Sequence, residues 1–196
     1  MPFTLATPCD YQEVIRKSRF IAKAAPITTP DEAQAFIQAV SDSTATHNCW
    51  AWKVGQQYRF SDDGEPGGTA GRPMLTAIEG QDCDQVVVVV TRWFGGIQLG
   101  TGGLARAYGG TTAKCLQGGE RLELIARMRC RCHCRFAELA LIKARLGEHD
   151  AFIEAETFDA QGVALVLAVP AEQHAALQHT LAGISRGRIE LRPDGA

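Results

Sequence analysis

Three carboxylates fall within four positions in the run Ser61-Asp62-Asp63-Gly64-Glu65-Pro66-Gly67-Gly68-Thr69-Ala70-Gly71-Arg72-Pro73. Oxygen ligands so close together suit a hard cation such as Mg²⁺. Asp side chains also bond backbone amides two residues on and so fold tight turns. The spacing is not that of an EF-hand, and a turn is the commoner use of acids among glycines. We assign no metal and no cofactor to this run.

A second run, Gly95-Gly96-Ile97-Gln98-Leu99-Gly100-Thr101-Gly102-Gly103, follows the apolar stretch Val86–Trp93 and precedes Leu104. A helix starting there presents amides without intrahelical partners and a positive dipole end, and glycines let an anion come close. Thr101 is the expected N-cap. Gly95 and Gly100 have the spacing of the Walker motif, but Thr101 stands where that motif needs Lys, and no Gly-x-Gly-x-x-Gly leaves the strand. A backbone site for phosphate or another anion, and simple close packing of helix on strand, are the two readings that survive. Arg92, at the strand exit, is the natural cationic companion to such a site.

His47-Asn48-Cys49 places an imidazole and a thiol on one face of a strand, the arrangement of a base and nucleophile. A buried thiol beside a hydrogen-bonded histidine is the commoner case, and no catalytic residue is assigned. Farther on, Arg127–Phe136 alternates strictly. Met128, Cys130, Cys132, Cys134 and Phe136 point one way, and Arg127, Arg129, Arg131, His133 and Arg135 the other. The cysteines read as small core residues. The arginines, with Arg186, Arg188 and Arg192 at matching parity near the end of the chain, make a candidate basic sheet face for RNA phosphates. Glu190 interrupts that row, and no stacking aromatic accompanies it.

The elements that must position these groups follow two patterns. Residues 1–127 mix extended segments with helices. Thr29 or Asp31 starts a helix at about Pro30 with a stripe of Ala33, Phe36, Ile37 and Val40. Strands are expected over Cys49–Val54, Tyr58–Ser61 and Gln85–Trp93, and a closing helix begins at Thr101 with Leu104, Ala107, Tyr108, Thr111 and Cys115 on one side. Residues 128–196 read as strand Met128–Phe136, helix Ala137–Glu148, strands Phe152–Phe158 and Val163–Val169, helix Ala171–Leu181 and strand Arg188–Leu191. That βαββαβ order is the ferredoxin-like plan. The fold class is therefore α+β in two domains, 1–127 and 128–196.

Composition bounds the function. The 196 residues are 45% hydrophobic and 21% charged, with net charge −2, which is the profile of a folded globular chain and not of a globally basic nucleic-acid binder. Fourteen of the 20 glycines lie between Gly64 and Gly119, but the run also holds Val86–Val90 and Trp93-Phe94, so it is an ordered surface and not a linker. No membrane span or secretory signal is expected, and seven cysteines without export are expected to be reduced thiols, with no disulfide-linked partner. A cytoplasmic protein is the expectation.

Two long motifs carry a family resemblance. Ser61-Asp62-Asp63-Gly64-Glu65-Pro66 with Gly68-Thr69-Ala70-Gly71-x-Pro73, and Val90-Thr91-Arg92-Trp93-Phe94-Gly95-Gly96 with Leu99-Gly100-Thr101-Gly102-Gly103-Leu104-x-x-Ala107-Tyr108, closely resemble the IMPACT/YigZ family. His47-x-Cys49-x-Ala51 fits the same pattern, and the likeness spans essentially the whole chain. The resemblance implies an N-terminal fold like the second domain of a small-subunit ribosomal protein and the fourth domain of elongation factor G, followed by a domain like that factor's fifth. It also implies a translation theme, because eukaryotic members regulate translation by binding a partner that activates a stress kinase. It supplies no catalytic residues, and neither a serine nucleophile elbow nor His-Glu-x-x-His occurs. The expectation is a translation-associated regulatory or binding protein contacting RNA, the ribosome or a translation factor. A docking surface for a protein partner is a further option. The enzyme alternative is a small-ligand site in which Asp62, Asp63 and Glu65 manage a cation while Arg92 and the Thr101 helix start hold a phosphate.

Overall fold

The computed structural model describes residues 2–194, which divide into two compact units that meet between Leu124 and Ile125. The first runs β1 (Phe3–Leu5), β2 (Cys9–Ile15), β3 (Ser18–Pro26), α1 (Pro30–Val40), β4 (His47–Val54), β5 (Gln57–Ser61), α2 (Gly71–Gly80), β6 (Val86–Trp93), α3 (Thr101–Gly118) and β7 (Arg121–Glu123). Five strands form an antiparallel sheet in the order β2-β3-β6-β4-β5, and β1 pairs with β7 as a separate ribbon.

The valine run is the middle of this sheet, covered on both faces. Val86, Val88 and Val90 pack with Met74, Leu75 and Ile78 of α2 and Leu104, Tyr108 and Leu116 of α3. Val87 and Val89 pack on the opposite face with Ala33 and Ile37 of α1 and with Trp52. Complete burial of both faces explains why five consecutive β-branched residues replace the usual alternation. α1 starts as its sequence implies, with Thr29 Oγ1 accepting from the Glu32 amide at 3.2 Å and Pro30 opening the helix.

α2 lies where the sequence reading has no helix, between the strands Tyr58–Ser61 and Gln85–Trp93, and α3 is capped one residue earlier than expected. α2 had no local start signal, because its cap is remote. The Asp62 carboxylate accepts from the amides of Gly68, Ala70 and Gly71 at 2.8, 3.0 and 2.8 Å. Gly71 can lie there only without a side chain, since a Cβ would stand 2.8 Å from the Ser61 backbone. In α3 the cap is Gly100, at φ +74°, and Thr101 is the first helical residue. The glycine conformation swings the chain into the helix without a side-chain cap.

The second unit runs β8 (Arg127–Cys134), α4 (Phe136–Leu146), β9 (Phe152–Phe158), β10 (Val163–Pro170), α5 (His174–Ser185) and β11 (Arg192–Pro193), with antiparallel order β11-β8-β10-β9. This is the ferredoxin-like βαββαβ arrangement, so the chain is α+β throughout. Cys130, Cys132 and Cys134 point into the core with Ile142, Leu167 and Leu177. The last strand falls later than expected. Ile189 and Leu191 are buried, but their backbones are held by Gln178 of α5, through Nε2 to Ile189 O at 3.1 Å and Oε1 from Leu191 N at 2.6 Å. Pairing to β8 begins only at Arg192. Among the described residues, no helix is long and apolar enough to cross a membrane.

Candidate functional site: a cleft over a buried ionic network

Arg92 continues the inward face of β6 one step beyond Val90, so the register that buries the valines carries a guanidinium to the rim of the core. It is 5% exposed. Burial of a charge is tolerable only when it is paired and hydrogen-bonded. Glu65, from the first glycine run, accepts from Arg92 Nη1 at 2.6 Å, and the Tyr108 hydroxyl of α3 donates to the same carboxylate oxygen at 2.6 Å. Ser18, at the start of β3, accepts from Arg92 Nη2 and from the Gly95 amide, each at 3.2 Å. Phe20 and Phe94 lie against the guanidinium, with centroids 5.5 Å from its carbon. Arg92 Nε is buried without a hydrogen-bond partner among the described residues. Burial pushes the Tyr108 phenol far up, so it stays protonated and serves as a donor.

His47 is Arg92's direct neighbour across the sheet. Its Nδ1 is 2.7 Å from Asp63 O, which leaves Nε2 toward the second Glu65 oxygen at 3.7 Å. The Asp63 carboxylate accepts from the Asn48 amide at 2.6 Å. Gly64, at φ +84°, passes close to the imidazole.

Above this floor opens a cleft of about 430 Å³. One wall is His47, Glu65 and Pro66, and the other is Gln98, Leu99, Gly100, Thr101 and Leu104, with Thr46, Arg92 and Phe94 completing it. The two glycine runs therefore meet. Leu104 N makes the first intrahelical bond of α3, to Gly100 O at 2.9 Å, so the amides of Thr101, Gly102 and Gly103 are the ones left over at the helix start. Gly95 and Gly96 turn the chain out of β6, and a Cβ on Gly95 would stand 2.0 Å from Lys17 O.

The three carboxylates do not converge on one point, as the cation alternative would need. Asp62 caps α2, Asp63 holds Asn48 and only Glu65 faces the cleft, where Arg92 neutralises it. No group of three or more His, Cys, Asp or Glu side chains able to hold a metal occurs among the described residues. The base-and-nucleophile arrangement of His47 and Cys49 is absent too. Cys49 is fully buried, its thiol donates to Asp62 O at 3.0 Å, and burial pushes it up to about 12. Gly68, at φ +77°, and Thr69, whose hydroxyl donates to Pro66 O at 2.6 Å, close the turn before α2. Nothing local in the sequence marks Ser18 and Phe94 as partners of Arg92. Ser18 lies 74 positions from it, and only strand pairing brings the two together.

The arginine face of the second unit is mixed in charge. Arg129 pairs with Glu154 at 2.7 Å and with Asp194 at 3.7 Å, and Arg131 with Asp194 at 2.7 Å. Arg192 pairs with Glu190 at 2.6 Å, and Arg188 with Glu138. Arg135 is the N-cap of α4, and Arg186, at φ +57°, closes α5. Phe152, stacked under Arg127 with a centroid distance of 5.4 Å, is an exposed aromatic on β9.

These features define a two-domain α+β protein with a concave, anion-compatible cleft in its first domain. Residues 16–116 match the Impact N-terminal domain, and residues 132–188 match a domain of unknown function, DUF1949. An IMPACT family member from Thermus thermophilus is 40% identical over 177 residues, covering 90% of this chain and 98% of that one. The Escherichia coli IMPACT family member YigZ is 39% identical over 193 residues, covering 95% and 94%. Protein IMPACT of Xenopus laevis is 37% identical over 95 residues, 43% of this chain and 30% of its own. A crystal structure of a hypothetical protein superposes with a TM-score of 0.77 at 38% identity, covering 97% of this chain and 95% of that one. The chain belongs to the IMPACT family.

Proposed function

We propose that the protein is a cytoplasmic, translation-associated regulatory binding protein that contacts RNA or the ribosome through the cleft of its N-terminal unit, without chemistry of its own. The observation that supports this most is how the groups around the cleft are committed. Glu65 is occupied by Arg92 and Tyr108, and Cys49 is sealed in the core, whereas the opposite wall offers the first amides of α3. Such a surface recognises an acceptor-only group and activates none. A phosphodiester oxygen suits it, because Gly100, in the cleft wall with open space where a side chain would stand, permits close approach and the helix dipole favours negative charge. Phe94, about half exposed at the rim, offers a ring on which a base can stack. Arg129, Arg131, Arg188 and Arg192 of the second unit are engaged with carboxylates, so RNA phosphates would have to displace those partners there.

Thr101→Glu tests this reading. An acidic residue in the first turn favours the helix while opposing an anionic partner. Co-sedimentation with ribosomes, and binding to structured RNA at two salt concentrations, should weaken about tenfold or more. Unchanged binding by Thr101→Glu, with loss in the triple variant Arg129→Ala, Arg131→Ala and Arg188→Ala, would move the contact to the sheet face. A second reading has one observation in its favour, since about 430 Å³ falls within the range of small-ligand sites. A phosphate-bearing small molecule that raises the melting temperature of a chain without RNA affinity would favour that reading.

A further inference from the structure

The two sulfurs of Cys9 and Cys115 are 3.8 Å apart, joined in space from positions 106 residues apart in sequence. Cys9 opens β2, one of the two edge strands of the sheet, and is partly exposed. Cys115 lies on α3 and is 1% exposed. Each thiol also lies near the other residue's backbone carbonyl, Cys9 Sγ at 3.5 Å from Cys115 O and Cys115 Sγ at 3.8 Å from Cys9 O. Gly119, just past the end of α3, leaves room for the pair, since a Cβ there would stand 2.8 Å from Cys9 Sγ. We propose that Cys9 and Cys115 are an oxidisable dithiol, a modification site whose substrate is a hydroperoxide and whose product is an intramolecular disulfide tying β2 to α3.

The geometry divides the roles. Cys9 is the reachable sulfur, and the hydrogen bond from Cys115 pulls its thiol below its ordinary value, which favours the reactive thiolate. Its thiolate attacks one peroxide oxygen. The S–O bond forms, the O–O bond breaks, and the leaving alkoxide (hydroxide when the oxidant is hydrogen peroxide) takes a proton to become an alcohol or water. Cys9 is thereby oxidised to a sulfenic acid as the peroxide is reduced. The Cys115 sulfur then attacks the Cys9 sulfur. An S–S bond forms, the S–O bond breaks, and the hydroxyl departs with the Cys115 proton as water. Closing from 3.8 Å to the ~2 Å of a disulfide needs less movement than a rotamer change provides. A low-molecular-weight dithiol reverses the bond by exchange.

The other cysteines lack this combination. Cys49 and Cys132 are buried and pushed up to about 12 by burial, and Cys83, Cys130 and Cys134 are buried and raised in the same way. A transient disulfide in a reducing compartment is the usual form of redox sensing.

The full-length reduced protein is treated with stoichiometric hydrogen peroxide, alkylated and mapped by mass spectrometry. The proposal predicts a loss of two hydrogens in mass, one cross-linked peptide pair containing Cys9 and Cys115, alkylation of the other five cysteines after unfolding, and recovery with dithiothreitol. Cys115→Ser should leave a sulfenic acid at Cys9 that dimedone traps, and Cys115→Ala should do the same, while Cys9→Ser should show neither product. Oxidation spread over all seven thiols, sulfinic acid at Cys9 without a cross-link, or disulfides between separate chains would each overturn it.

Discussion

Removing the Arg92 guanidinium while keeping its volume, as in Arg92→Met, leaves the Glu65 carboxylate, 3% exposed, without its counter-charge. Breaking a buried pair from one side costs about 3–5 kcal/mol, because the remaining charge stays desolvated. Glu65 keeps the Tyr108 hydroxyl and gains little from His47 at 3.7 Å, so the partners left behind do not offset that cost. For a unit of this size, roughly 3–5 °C of melting temperature accompanies each kcal/mol, giving a drop of about 10–20 °C. The three tryptophans, Trp50, Trp52 and Trp93, all lie in the first unit, so fluorescence-detected unfolding reports on this unit alone. Glu65→Gln should cost a similar amount from the other side, and the double variant should lose at least about 1.5 kcal/mol less than the sum of the singles. Additive losses, or single losses below about 1 kcal/mol, would show that the pair behaves as a solvated surface bridge and refute the network.

Three smaller expectations follow from individual positions. Cys49, with its thiol pushed up to about 12, should resist iodoacetamide at pH 8 in the folded protein and react only once unfolding has exposed it, as timed labelling will show. Gly95→Ala should destabilise by about 1–3 kcal/mol or more, because its Cβ meets the Lys17 carbonyl, whereas Gly110→Ala, in open space within α3, should stabilise by about 0.5–1 kcal/mol; denaturant melts compare the two. Arg188 holds the Glu138 carboxyl below its ordinary value, so that pair stabilises above the usual carboxylate range and is lost as pH falls through the depressed value. An NMR titration of Glu138 should show its midpoint move up in Arg188→Ala, and an unmoved midpoint would deny the pair its role.

The sequence carried much of the frame because its strongest signals are local. Five valines in a row, the Thr29-Pro30 helix start and the alternating cysteines of β8 each declare their own environment, and the structure places them as read. The family motifs collected His47, Glu65, Arg92 and Thr101 without saying which of them touch. What stayed hidden depends on distant partners. α2 is capped from Asp62, eight and nine residues upstream of the amides at Ala70 and Gly71, so no start signal precedes it. Ser18 reaches Arg92 only because β3 and β6 are neighbours in the sheet. The row of arginines looked basic because the carboxylates that meet it come from β9, α4 and the chain end, out of sight of strand parity.

The central claim is that the cleft at the start of α3 receives an anionic group of an RNA or ribosomal partner. The most direct measurement is an NMR titration of the isotopically labelled full chain with a short structured RNA, following the amides of Thr101, Gly102 and Gly103 and the Nε–H of Arg92. The account predicts saturable shifts concentrated on those four signals, diminished in Thr101→Glu. Shifts confined to Arg127–His133 and Arg192, or none at all at RNA concentrations that bind the ribosome-associated fraction, would contradict it.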